Sequence, residues 1–257
     1  MTMRLAVLSD MHGNLIALEA ALADLEASGG ADTVWILGDL AAFGPRPAEC
    51  VRRVQALAEQ YGKDNVRYVR GNTDRYLVRG ERPAMPPAED EETFALIRAE
   101  WPPRDRALNW GLAQLSFEDY TFLAKLATET ALEVPGYGWV IGYHGTPGDD
   151  EGFLKPDTPP DVARDLLLDR EGRLGIGGHI HVQMDRDLGN WRVVNVGSVG
   201  MSFDQPGKAQ WGLFSFDDDQ VSVDLRNVAY DTAAFAADLR ASGHPEPEWA
   251  LNKFRLA

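Results

Sequence analysis

The sequence predicts an α/β protein, on three observations. The first 72 residues alternate short apolar runs with segments of helical period. The links between them are short, as in strand–helix–strand units that build a parallel sheet. The second half is richer in strands, with turn residues between paired apolar runs.

Leu5-Ala6-Val7-Leu8 is the first apolar run and stops at Ser9-Asp10. Leu15, Leu18, Leu22 and Leu25 follow at helical spacing, and Gly29-Gly30 ends that helix. Val34-Trp35-Ile36-Leu37 stops at Gly38-Asp39, and Val51, Val54, Leu57 and Ala58 mark the next helix. Val66-Arg67-Tyr68-Val69 stops at Gly71-Asn72. From about 75 to 135 the pattern changes to an expected, mostly helical insertion. Phe94, Ile97 and Arg98 suit one short helix there, and Leu108, Leu112 and Leu115 another. Pro83, Pro86, Pro87, Pro102 and Pro103 punctuate the stretch, and Glu89 to Glu92 reads as a solvated first helical turn. Then Trp139 to Tyr143 stops at His144, and Arg173 to Ile176 stops at Gly177-Gly178-His179. Leu188-Gly189-Asn190 and Asp217-Asp218-Asp219 are turns between strand candidates, and Ala233 to Ala241 reads as a late helix.

With 25 Lys+Arg against 40 Asp+Glu, the net charge of −15 excludes a general binder of nucleic acid or acidic lipid. A single cysteine excludes an intrachain disulfide and a cysteine-built zinc site. No stretch approaches the ~18 apolar residues of a membrane span. The apolar run at Leu5 to Leu8 is too short for a signal-peptide core, so a soluble, cytoplasmic protein is expected. Oligomeric state has no signal in the sequence.

Five of the apolar runs end in a residue able to bind metal: Asp10 (with His12), Asp39, Asn72, His144 and His179 (with His181). Ligands of open α/β sheets bind at the carboxyl ends of strands, where such side chains converge. Four of the five histidines fall at these ends. Imidazole nitrogen with carboxylate or carbonyl oxygen suits Mn, Fe, Co, Ni or Zn. Residues two apart share a face of an extended segment, so each Asp-x-His or His-x-His pair is expected on one side of its segment. The set exceeds the needs of one ion and fits two sharing a carboxylate. Two divalent ions about 3.5–4 Å apart can ionise a shared water and neutralise a phosphoryl group.

Ser9-Asp10-Met11-His12-Gly13-Asn14, Gly38-Asp39, Gly71-Asn72-Thr73-Asp74, Tyr143-His144-Gly145 and Gly178-His179-Ile180-His181 occur in this order. Together they resemble the five-block signature of the calcineurin-like metallophosphoesterases. Asn195-Val196-Gly197-Ser198 and the Gly44-Pro45-Arg46-Pro47-Ala48-Glu49 loop resemble the small bacterial and archaeal phosphodiesterase branch. The resemblance implies a four-layer αββα sandwich of two mixed sheets flanked by helices, here one domain over 1–257 with the helical insertion at 75–135. It implies one ion on Asp10, His12 and His181, a second on Asn72, His144 and His179, and Asp39 as the bridge. Manganese is the first choice, with Fe, Ni, Co or Zn as alternatives.

The implied activity is hydrolysis of a small phosphate ester by a hydroxide between the ions, foremost of a phosphodiester. Asp39, Asn72 and His144 would be the catalytic residues, Asn72 and Arg46 would meet the substrate phosphate, and Asp74 would support a metal-bound histidine. A phosphomonoesterase or nucleotide pyrophosphohydrolase would use the same metals. A silent protein-binding scaffold of this fold is disfavoured by the full set of competent ligand residues. One departure matters: the family block often has His where Thr73 stands, and a Thr hydroxyl is a poor general acid near neutral pH.

Overall fold

The computed structural model describes residues 2–256. β1 (Met3–Leu8) leads through a polar loop to α1 (Leu15–Ala27), whose N-terminus is capped by the Asn14 side chain accepting from the Ala17 N–H at 3.0 Å. β2 (Thr33–Ile36), α2 (Pro47–Gln55), α3 (Leu57–Tyr61) and β3 (Val66–Tyr68) complete the first strand–helix alternation. α4 (Asn72–Arg79) starts directly at a predicted site residue. α5 (Glu91–Gln114), α6 (Phe117–Ala124) and β4 (Glu129–Val134) then lead to β5 (Gly138–Tyr143). α7 (Pro160–Asp165), β6 (Leu174–Gly177), β7 (Gln183–Asp187) and β8 (Arg192–Val196) follow. The chain closes with β9 (Lys208–Asp217), β10 (Gln220–Ala229), α8 (Thr232–Ala241) and α9 (Pro247–Lys253).

The strands form two five-stranded mixed sheets, ordered β10-β9-β1-β2-β3 and β4-β5-β6-β8-β7. In the first, β1, β2 and β3 run parallel, and β9 runs antiparallel between β1 and β10. In the second, β5, β6 and β8 run parallel between antiparallel β4 and β7. Alternation along β1 splits the core. Leu5 and Val7 pack between the sheets with Trp35, Val140, Ile176 and Phe214. Ala6 and Leu8 face Leu18, Leu22, Val51 and Phe235 on the helical side. Ile141, Tyr143 and Val193 cover the opposite face of the second sheet with Leu154, Ala163 and Leu167. The result is the expected helix–sheet–sheet–helix layering.

Two expectations need correction. The separate short helices of the 75–135 stretch are one helix, α5, running through Pro102 and Pro103. Each proline removes a bond to the carbonyl four residues earlier. Those carbonyls belong to Arg98 and Ala99, both exposed, where solvent can replace the lost donor. The end of the same stretch is not helical but forms β4, the edge strand beside β5.

Candidate metal centre

The ends of β1, β2, β3, β5 and β6 deliver all the predicted ligand residues to one place. Asp10 and His12 follow β1, Asp39 follows β2, Asn72 follows β3, His144 follows β5, and His179 and His181 follow β6. His181 Nε2 lies 3.1 Å from Asp10 Oδ1 and 3.0 Å from His12 Nε2. His144 Nε2 lies 3.1 Å from Asn72 Oδ1, 3.5 Å from Asp39 Oδ1 and 3.9 Å from Asp10 Oδ1. Asp39 faces both halves, with its Oδ2 3.6 Å from His12 Nε2. His179 packs its ring 5.1 Å from that of His144. Among the described His, Cys, Asp and Glu residues two groups have the mutual closeness a metal requires, Asp10–His12–His181 and Asp10–Asp39–His144; His179 lines the same cleft but belongs to neither.

The two His-containing pairs reach the site by a different route from the one expected. Asp10, His12, Asp39, His179 and His181 are not extended; their φ angles lie between 49° and 68°. Left-handed backbone at a non-glycine residue costs about 1–3 kcal/mol and persists only where the surroundings impose it. Here they do. Ser198 Oγ–H donates to the Asp10 carbonyl at 2.8 Å, Asn195 Nδ2–H to the Gly178 carbonyl at 2.6 Å, and the His179 N–H to Asp10 Oδ2 at 2.9 Å. Backbone also meets backbone: a Cβ on Gly38 would fall 2.2 Å from the Gly71 nitrogen, and Gly38 has a φ of +94°.

The donor set fits divalent cations. His144 Nδ1–H donates to the Leu37 carbonyl at 2.6 Å, and His181 Nδ1–H to the Met201 carbonyl at 2.7 Å. Each bond fixes the tautomer, so in the neutral rings both Nε2 lone pairs point at carboxylate or amide oxygens. Such an arrangement of electron-rich atoms favours a positive charge among them, a metal ion or a proton. Burial disfavours an imidazolium at His144, yet Asp39 and Asp10 outweigh it and raise the pKa to about 10. Burial likewise raises the Asp10 carboxyl, but His181 and His144 bring it down to about 2. Burial lowers His12 and His179 to about 4, so both are neutral donors near neutral pH. His12 Nδ1 and His179 Nε2 are buried with no hydrogen-bond partner among the described residues.

Two predicted residues act elsewhere. Arg46 does not reach the cleft: its Nε and Nη2 grip Asp238 of α8 at 2.9 and 2.5 Å, which neutralises it. Asp74 touches no histidine. It accepts the backbone N–H groups of Asp39, Leu40 and Gly71 at 2.8, 2.9 and 3.0 Å, and so holds the loop that carries Asp39. Burial and the Asp39 charge raise its pKa to about 7. Thr73 lies in the cleft wall, its N–H donating to Asp39 Oδ1 at 2.9 Å and its hydroxyl without a partner among the described residues. The supporting roles of Ser198 and Asn195 had a signal in the Asn-x-Gly-Ser block. The cleft residues Phe43, Arg104, Phe203, Trp249 and Lys253 had none.

Residues 3–219 match the calcineurin-like phosphoesterase superfamily domain. The chain belongs to the calcineurin-like phosphoesterase superfamily. It is therefore a metal-dependent phosphoric ester hydrolase of a dimetal family. The phosphoesterase is 29% identical to an uncharacterized protein of Methanocaldococcus jannaschii, over 88% of each chain. It is 33% identical to the symmetrical bis(5'-nucleosyl)-tetraphosphatase of Paracidovorax citrulli, over 42% of this chain and 36% of that enzyme. The phosphoesterase superposes on a metallophosphoesterase from Sphaerobacter thermophilus with a TM-score of 0.72 and 25% identity, over 99% and 98% of the two chains. A hypothetical protein from Pyrococcus horikoshii shares the fold with a TM-score of 0.78 at 23% identity, over 97% of each chain. Among the described residues no helix is long and apolar enough to cross a membrane.

Proposed function

We propose that the protein is a dimetal phosphodiesterase acting on a small phosphate ester. The observation that carries this is the convergence of the tautomer-fixed His144 and His181 with Asp10 and Asp39 in one buried site. Asp10, His12 and His181 would hold one ion, and Asn72, His144 and His179 the other, with Asp39 between them. When bound, such ions supply Lewis acidity: they lower the pKa of water and offset the charge of the phosphoryl group.

The chain's own residues supply position. Asp74 and the Thr73 N–H fix the Asp39 carboxylate between the two halves. The Leu37 and Met201 carbonyls orient His144 and His181. With Asn72 Oδ1 on the His144 side, its amide N–H groups are left to orient a phosphate oxygen. No imidazole stands at position 73 to protonate the departing oxygen, which favours esters of acidic alcohols and phenols. The similarity to a bis(5'-nucleosyl)-tetraphosphatase supports pyrophosphohydrolysis as a second reading.

Comparing a mono- and a diester of one chromogenic phenol on manganese-loaded protein tests the assignment. Faster diester hydrolysis, lost in Asp39→Asn with the bound metal, is the expected result. Preference for the monoester would overturn the phosphodiesterase reading, and protein that binds no metal would overturn the site.

A further inference from the structure

Beyond the metal-site side chains, the cleft is walled by residues from four distant segments, with a volume of about 220 Å³. Phe43, on the loop after β2, has its ring 5.6 Å from His12 and 5.8 Å, edge-on, from Trp249 of α9. Phe203 places its ring 4.6 Å from His181. An apolar, ring-lined wall therefore begins at the predicted ligands and runs outward to the C-terminal helix. The Trp249 indole N–H is buried, with no hydrogen-bond partner among the described residues. Arg104 of α5 lines the same cleft, lies 5.5 Å from the Trp101 ring, and has no ion pair with a described carboxylate. Lys253, over the Trp249 ring at 5.6 Å, is already paired with Glu100.

This wall constrains the ester group. Along the ring faces of this wall, where the Trp249 N–H and the Thr73 hydroxyl are the open hydrogen-bonding groups, a sugar or glycerol would regain fewer bonds than it loses to water, which is costly. A flat ring loses little and gains stacking. The cavity is smaller than the ~300 Å³ at which ligand pockets commonly begin, so it suits one ring and one phosphate, with the rest of a larger ester in solvent.

We propose that this cleft recognises phosphate esters bearing a flat aromatic ring, seated against Trp249 and Phe43, with Arg104 meeting a further anionic oxygen. The ring is that of a nucleobase or an aryl group. The proposal rests on the phosphoesterase reading in placing the phosphate at the metal centre.

Calorimetric titration of the manganese-loaded full-length protein with methylphosphonate, phenylphosphonate and AMP tests it without requiring turnover. Phenylphosphonate or AMP should bind about tenfold more tightly than methylphosphonate, and the tighter of the two identifies the ring's source. Trp249→Ala should reduce that advantage to under about twofold, and Trp249→Phe should keep most of it. Arg104→Ala should weaken ADP more than AMP. Equal binding of the three ligands, binding of none, or an equal loss for all three in Trp249→Ala would overturn the proposal. Ring-dependent binding without hydrolysis of any chromogenic ester would instead sink the phosphodiesterase reading. Hydrolysis without ring-dependent binding would sink only the present inference.

Discussion

At position 73 a buried hydroxyl, not an imidazole, occupies the cleft wall, and nothing among the described residues bonds to it. A leaving group must then depart with little proton transfer from the protein, so the rate should fall steeply as the alcohol becomes less acidic. Thr73→His is expected to flatten the dependence of kcat/KM on leaving-group pKa across a series of aryl esters. An unchanged slope would remove the general-acid argument. Asp74, one residue on, meets three backbone N–H groups, which a carboxylate can accept and an amide cannot match. Asp74→Asn should cost about 1–3 kcal/mol of stability and weaken metal binding about 10–100-fold, read by thermal melts and chelator competition. Wild-type metal affinity in that variant would sink the positioning role. The convergence of the seven candidate ligands was legible in the sequence because polar residues at the ends of apolar runs are conspicuous. Their left-handed backbone was not, because it is imposed by Ser198 and Asn195 from far along the chain. Arg46 misled for the same reason: its partner, Asp238, lies on a distant helix.

The elements differ in how far local pattern decides them. β1, α1, β2 and α2 follow from apolar periodicity, because each buries one face or stripe. β4 lacks that clarity: it is an edge strand with only Val134 buried, so its alternation is weak. α9 is short, begins at a proline and docks through Ala250 and Leu251, too few positions to show a period. Close approach of elements is equally hidden. A Cβ on Gly178 would fall 2.0 Å from Ser9 Oγ and 2.5 Å from Asp10 Oδ2, where the loops after β1 and β6 meet. Gly178→Ala should therefore lose bound metal while circular dichroism still reports both sheets and helices. Full metal occupancy would show that the loops tolerate separation. The junction of α5 with the α8–α9 link carries a pH signature. His244 packs edge-on to Trp110 at 5.0 Å and accepts the Glu246 N–H at 3.1 Å. Burial lowers its pKa from 6.5 to about 4. Between those values the unfolded chain binds a proton that the folded protein refuses, so this stability is complete above pH 6.5 and is lost as pH falls toward about 4. The stability difference between wild type and His244→Gln, followed by thermal unfolding, should shift against wild type over that window; a constant difference would exclude the linkage.

Across the whole molecule, the two sheets bring their parallel strand ends to one edge, and the candidate metal site lies where both contribute. The first sheet supplies Asp10, His12, Asp39 and Asn72, and the second His144, His179 and His181. Neither half holds the set alone, so metal binding and assembly of the sandwich are coupled. The net charge of −15 sharpens this coupling, since two of its carboxylates, Asp10 and Asp39, are buried together in the site. Divalent ions bound there would reverse the local sign and give an otherwise acidic protein a place for a phosphate. Binding to the folded state alone must then appear as stability. At about 100 times Kd the gain is ~2.7 kcal/mol per site, which for a chain of this size raises Tm by roughly 5–10 °C. Manganese should produce that shift in the wild type, a chelator should reverse it, and Asp39→Asn should lose most of it, because that carboxylate faces both halves of the site. An Asp39→Asn protein with the full shift would place the metal elsewhere. A wild type with no shift would mean that the convergent histidines and carboxylates do not bind manganese in solution.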